Sequence, residues 1–113
     1  MNSRLENFRR ERERLNARVL ETSTKTTKRF FNLDTNCYAE GALPARTKEM
    51  LGLSASLVLR CDDCIAYHLI RCVELGVSEG EILEVFDVGL IVGGSIVIPH
   101  LRRARALLDE LLE

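Results

Sequence analysis

Residues 75–82 contain one helix ending and the next beginning, and no other stretch constrains the fold as strongly. Gly76 suits the C-cap of a helix running from about Cys61 to Leu75, because glycine takes the left-handed conformation without a Cβ clash. Ser78 follows, with Glu81 three residues on, which is a capping box in which each side chain satisfies the other's backbone N–H. The helix it opens carries Ile82, Leu83, Val85, Phe86, Leu90 and Ile91, and is expected to be heavily buried. Gly93-Gly94 either ends that helix or lets two backbones pack closely.

Helical periodicity continues on both sides of the junction. A final helix is predicted from about Ser95 to Leu112, with Pro99 tolerated near its first turn and Val97, Leu101, Ala104, Leu108 and Leu111 as its seam. Upstream, Pro44 suits a first helical turn, and Arg46 to Leu59 holds so many apolar positions that most of its circumference should be covered. Residues 3–22 place Leu5, Phe8, Leu15 and Val19 on one narrow stripe. Thr22-Ser23-Thr24 breaks that stripe and caps a second helix through about Asn36, followed by a loop to Leu43 that contains Cys37. Strand-like alternation with turn dipeptides is absent, so the expected fold is all-α, a compact six-helix subunit in a single domain over 1–113.

Composition narrows the class of function. The chain has 113 residues, short enough that burial shared between copies would help its stability, so an oligomer is expected. Its formal net charge of -1 argues against nucleic acid as a partner. That average hides a split: residues 1–29 hold nine Lys/Arg against four Asp/Glu. The alternating signs there fit a salt-bridged helix over 1–22 packed on a partner subunit better than a membrane-surface helix. The nearly apolar run from Val88 to Pro99 is about half the length a membrane span needs, so no membrane partner is expected. A charged N-terminus without an apolar h-region points to the cytoplasm.

Four cysteines in a reducing compartment are better read as redox or metal chemistry than as structural bridges. Cys61 and Cys64 form a Cys-x-x-Cys, and on a helix starting at Cys61 their sulfurs lie one turn apart, within reach of a disulfide. His68 falls four residues after Cys64, so at 100° per residue all three side chains share one face within about 60°. The helix N-terminus favours a thiolate, most of all at Cys61, and the imidazole is placed to take its proton. Asp62 and Asp63 oppose this, since a carboxylate about 7 Å away costs a thiolate about 0.6–2.4 kcal/mol. Glu49, inside a mostly apolar helix, needs a partner that His68 would supply. Cys72, among Leu69, Val73 and Leu75, reads as a small core residue, and His100 as a surface or capping residue before one at the mouth of the site.

Glu49, then Cys61-x-x-Cys64-x-x-x-His68 twelve residues later, resembles the alkyl hydroperoxidase D-like group of the carboxymuconolactone decarboxylase superfamily. The likeness runs from about Leu43 to Ala106 and includes the Gly76-x-Ser78-x-x-Glu81 turn and Gly93-Gly94. Asp63 stands where some peroxidatic members carry a second histidine. The resemblance implies reduction of a small-molecule hydroperoxide at the expense of a dithiol reductant, in a homo-oligomer, trimer or hexamer, with no cofactor. It assigns attack on peroxide to Cys64, resolution to Cys61, and proton relay to His68 and Glu49. Two other readings stand beside it: a non-catalytic helical assembly protein with a redox-sensitive staple, and a zinc site short of its usual fourth ligand.

Overall fold

The structure is a computed structural model that describes residues 3–113. Six α-helices account for its regular secondary structure: α1 (Arg4–Thr22), α2 (Lys25–Cys37), α3 (Ala45–Leu59), α4 (Asp62–Glu74), α5 (Glu79–Gly93) and α6 (Ile98–Leu111), with a 3-10 turn at Ser95–Val97 before the last. The all-α, six-helix expectation is met, and no strand occurs among the described residues. No helix among them is long and apolar enough to cross a membrane.

Contacts divide the chain into a segment up to Ala39 and a second unit, Glu40–Glu113. In the first, Ser3 caps α1 through a capping box with Glu6, and Thr24 caps α2 by accepting the Thr27 N–H. Neither helix contains a buried residue, and the α1 seam residues Leu15 and Val19 are exposed. Cys37 is the last residue of α2 rather than part of a loop, since the helix runs one residue past Asn36.

In the second unit α3 packs against α4 and α5, and α4 packs against α6. The core holds Leu53 and Leu57 of α3, Ile65, Leu69 and Cys72 of α4, Ile82 and Phe86 of α5, Val97, and Ala104, Leu107 and Leu108 of α6. The junction that organises the sequence reading forms as expected. Gly76 takes φ 81°, and in the capping box Glu81 Oε1 accepts the Ser78 N–H at 2.9 Å while Ser78 Oγ accepts the Glu81 N–H at 3.2 Å. Arg46 of α3 reaches the same Glu81 oxygen at 2.8 Å, tying the starts of α3 and α5 together. These contacts hold the Glu81 carboxyl below its ordinary pKa, the Ser78 backbone bond contributing most.

Both alternatives for Gly93-Gly94 are realised. Gly93 ends α5 close to Val58, where a Cβ would overlap Val97 Cγ2 and lie 3.5 Å from the Val58 Cα, and Gly94 takes φ 83°. The expected covering of most of α3 and heavy burial of α5 are not met within one chain. Leu51, Leu59, Val88, Ile91 and Val92 are exposed, because each helix has neighbours on only part of its circumference.

Candidate active site

The α3–α4 connection sets the cysteines. α3 ends at Arg60 in the left-handed region, φ 59° and ψ 41°, a conformation that costs a non-glycine residue about 1–2 kcal/mol. The turn brings the Cys61 N–H onto the Ser56 carbonyl at 3.1 Å. Cys61 is therefore the N-cap of α4 and not its first helical residue, and its Sγ accepts the Cys64 N–H at 3.3 Å. The 100° spacing rule thus applies from Cys64 to His68 but not back to Cys61, whose backbone is extended. Cys61 and Cys64 are joined as a disulfide with their Cα atoms 5.3 Å apart. Cys64 is exposed and Cys61 half-buried.

One turn after Cys64, His68 turns into the contact between α3 and α4. Its Nδ1 lies 2.7 Å from Glu49 Oε1, and the carboxylate is only 2% exposed. An ionised carboxylate accepts and cannot donate, so opposite it Nδ1 is the donor, and in a neutral ring the lone pair then lies on Nε2. The second carboxylate oxygen lies 3.9 Å from Arg71 Nε, so a cation one turn further along α4 adds to its compensation. The Tyr67 ring meets the imidazole edge-on, centroids 5.3 Å apart. Cys72, fully buried as expected of a core residue, has its thiol pushed up to about 12, chiefly by desolvation and next by the nearby Glu49 charge.

A second carboxylate–imidazole contact lies at the start of α4, where spacing alone gave no sign of it. Asp62 Oδ1 is 2.7 Å from His100 Nδ1, and Asp62 Oδ2 accepts from Arg103 Nε at 3.0 Å. His100 is thus a partly exposed residue that pairs with Asp62 beside the cysteines. It and Arg103, one turn apart on α6, hold the aspartate that sits between the two cysteines, and the Arg103 guanidinium offsets its charge. Replacing Arg103 by Gln should slow iodoacetamide alkylation of the reduced pair at pH 7 by up to about fivefold, the ceiling for a half-exposed ion pair. Peptide-resolved mass spectrometry separates this rate from alkylation of the exposed Cys37, and the effect should vanish when Asp62 is Asn. An unchanged rate would mean that solvent already screens Asp62.

Among the described residues no group of three or more His, Cys, Asp and Glu is placed to hold a metal ion. A cavity of about 650 Å³ opens between α5 and α6, walled by Leu83, Phe86, Ile98 and Leu101 with Arg102 and Arg105, and none of the four candidate residues lines it.

With this geometry in place, comparison with known proteins identifies the lineage. The sequence profile of the Carboxymuconolactone decarboxylase family matches residues 24–109. The chain belongs to that family. Two crystal structures of a Thermotoga maritima protein share the fold, at 59% identity with 93% of this chain and 92% of that one covered (TM-score 0.92), and at 58% with 93% and 89% covered (TM-score 0.90). The second was described as a carboxymuconolactone decarboxylase family protein with a suggested part in the antioxidative response. A family member from Legionella pneumophila, crystallised in its apo form, shares the fold at 20% identity over 99% of this chain and all of that one, with TM-score 0.88. Uncharacterized protein 4 in the cox locus of Paracoccus denitrificans is 29% identical over 82 residues, 73% of this chain and 74% of that protein.

Proposed function

We propose that this family member is a thiol-dependent peroxidase that reduces hydroperoxides through Cys61 and Cys64, with His68 and Glu49 as its proton relay. The observation that carries the reading is a buried carboxylate–imidazole pair, 2.7 Å apart, whose histidine follows Cys64 by one helical turn. Such a pair in a mostly apolar contact is costly to bury, and acid–base work next to a reactive thiol gives it a use. The antioxidative role suggested for the Thermotoga maritima protein is of the same kind.

In the proposed cycle the Cys64 thiol loses its proton to His68 Nε2, and the thiolate attacks one peroxide oxygen. The O–O bond breaks, Cys64 becomes a sulfenic acid, and the leaving alkoxide takes up a proton as alcohol. Cys61 then attacks the Cys64 sulfur, closing the disulfide and releasing water. A dithiol reductant, available in a cytoplasmic setting, restores both thiols and leaves as its own disulfide. Glu49 holds Nδ1–H and thereby directs Nε2 to the chemistry. The exposed apolar residues of α3 and α5 support a homo-oligomer, for which the trimers or hexamers of related proteins are the expected form.

The deciding assay follows peroxide loss with catalytic amounts of protein and excess dithiol. Sustained turnover, many peroxides per chain, is the expected result. Consumption of one peroxide per chain followed by arrest would instead make the pair a redox-sensitive staple of a helical assembly.

A further inference from the structure

The relay histidine needs a seat as well as a partner, and α3 provides one at a glycine. Gly52 is buried in the middle of α3, a position where glycine weakens a helix and where no turn or positive φ calls for it. A Cβ built on Gly52 would lie 2.8 Å from His68 Cε1, 2.9 Å from Nδ1 and 2.9 Å from Nε2. Three ring atoms at nearly one distance put that Cβ over the face of the imidazole and not at its edge. Glu49 lies three residues earlier on the same helix face, so one turn of α3 meets the ring twice, by a hydrogen bond at Nδ1 and by bare backbone beneath its plane.

We infer that Gly52 is a positioning residue, the seat on which the His68 ring lies flat so that Glu49 can hold Nδ1–H and leave Nε2 as the acting base. This rests on the proposed role of His68, but its geometry stands apart from any activity. Carbon atoms in contact settle at about 3.5–4.0 Å, so an alanine at 52 forces the ring back by more than half an ångström. The core residue Leu69 next to His68 fixes the backbone of α4, so the ring must tilt or slide. Either movement lengthens or bends the 2.7 Å contact between Nδ1 and Glu49 and so loosens the hold on Nδ1–H.

The experiment compares the full chain with Gly52→Ala, His68→Ala and the double variant. It uses 15N-histidine NMR to read the His68 tautomer, thermal melts to read stability, and peroxide turnover. Gly80→Ala, on exposed helix in α5, is the control. Gly52→Ala should remove the Nδ1–H signature of His68, lower Tm by roughly 5–10 °C and reduce kcat about tenfold or more with a smaller change in KM. In the His68→Ala background the same alanine should no longer lower Tm, because the ring it strikes is gone and alanine is the better helix former. A Gly52→Ala chain that fails to fold while the double variant folds supports the seat equally. An unchanged His68 spectrum, an equal Tm loss in both backgrounds, or failure of both variants to fold would overturn it. Absence of turnover in the unmodified protein would sink the peroxidase reading while leaving the tautomer and the melts to decide the seat.

Discussion

A Cys64→Ser chain is expected to lose peroxide turnover by about three orders of magnitude or more, while Cys61→Ser still completes the first chemical step. The asymmetry follows from where α4 begins. Cys61 is the N-cap, half-buried, and its sulfur accepts a backbone N–H from the positive end of the helix. Cys64 is the more exposed residue of the two, which in the proposed cycle favours it as the first to meet peroxide and reductant. When a reductant thiolate attacks Cys64, Cys61 is the leaving group, and the thiolate better stabilised by the helix end leaves faster. The helix-end argument that favours Cys61 as the more acidic thiol is therefore compatible with Cys64 as the attacking one. Mass spectrometry with a dione trap should find a sulfenic acid on Cys64 of Cys61→Ser after one equivalent of peroxide, and none on Cys61 of Cys64→Ser. Turnover retained in Cys64→Ser and lost in Cys61→Ser would exchange the roles.

Local signals in the sequence proved more legible than distant ones. Ser78 and Glu81 sit three residues apart and make their capping box with no help from the rest of the chain, and the disulfide of Cys61 and Cys64 spans the same short interval. Glu49 was readable for a different reason: a carboxylate among apolar residues must find a partner, and the only histidine in the neighbouring helical pattern is His68. His100 and Arg103 reach Asp62 across 38 and 41 residues, and nothing in local spacing marks which acidic residue an α6 side chain will meet. Gly52 resembles any helix-weakening glycine until the imidazole above it is seen. Leu51, Leu59 and Ile91 misled for a general reason, since periodicity reports that a face is apolar without reporting whether this chain or another copy covers it.

Glu49→Gln should lower kcat by about a hundredfold or more and leave the melting temperature nearly unchanged. The amide keeps the shape of the side chain and an oxygen to accept Nδ1–H, so packing in the α3–α4 contact survives. What disappears is the negative charge that, in the proposed relay, would stabilise a positive ring after Nε2 takes the thiol proton, an interaction strengthened by the burial of the carboxylate. KM for peroxide should move little, because in the proposed relay Glu49 acts through His68 and does not touch substrate. The complementary variant removes both members together: Glu49→Met with His68→Leu replaces a buried polar pair by apolar side chains of similar size. Such replacements are often neutral or stabilising by about 1–4 kcal/mol, whereas removing one member strands the other. The double variant should therefore melt no lower than the natural chain and be inactive, and Glu49→Leu alone should be both inactive and less stable, because Nδ1–H is left without an acceptor at a cost of about 1–3 kcal/mol. This pattern separates a pair held for chemistry from one held for folding. A Glu49→Gln chain with kcat within twofold of the natural one, or a double variant that melts far lower, would show that the contact serves the packing of α3 on α4 instead.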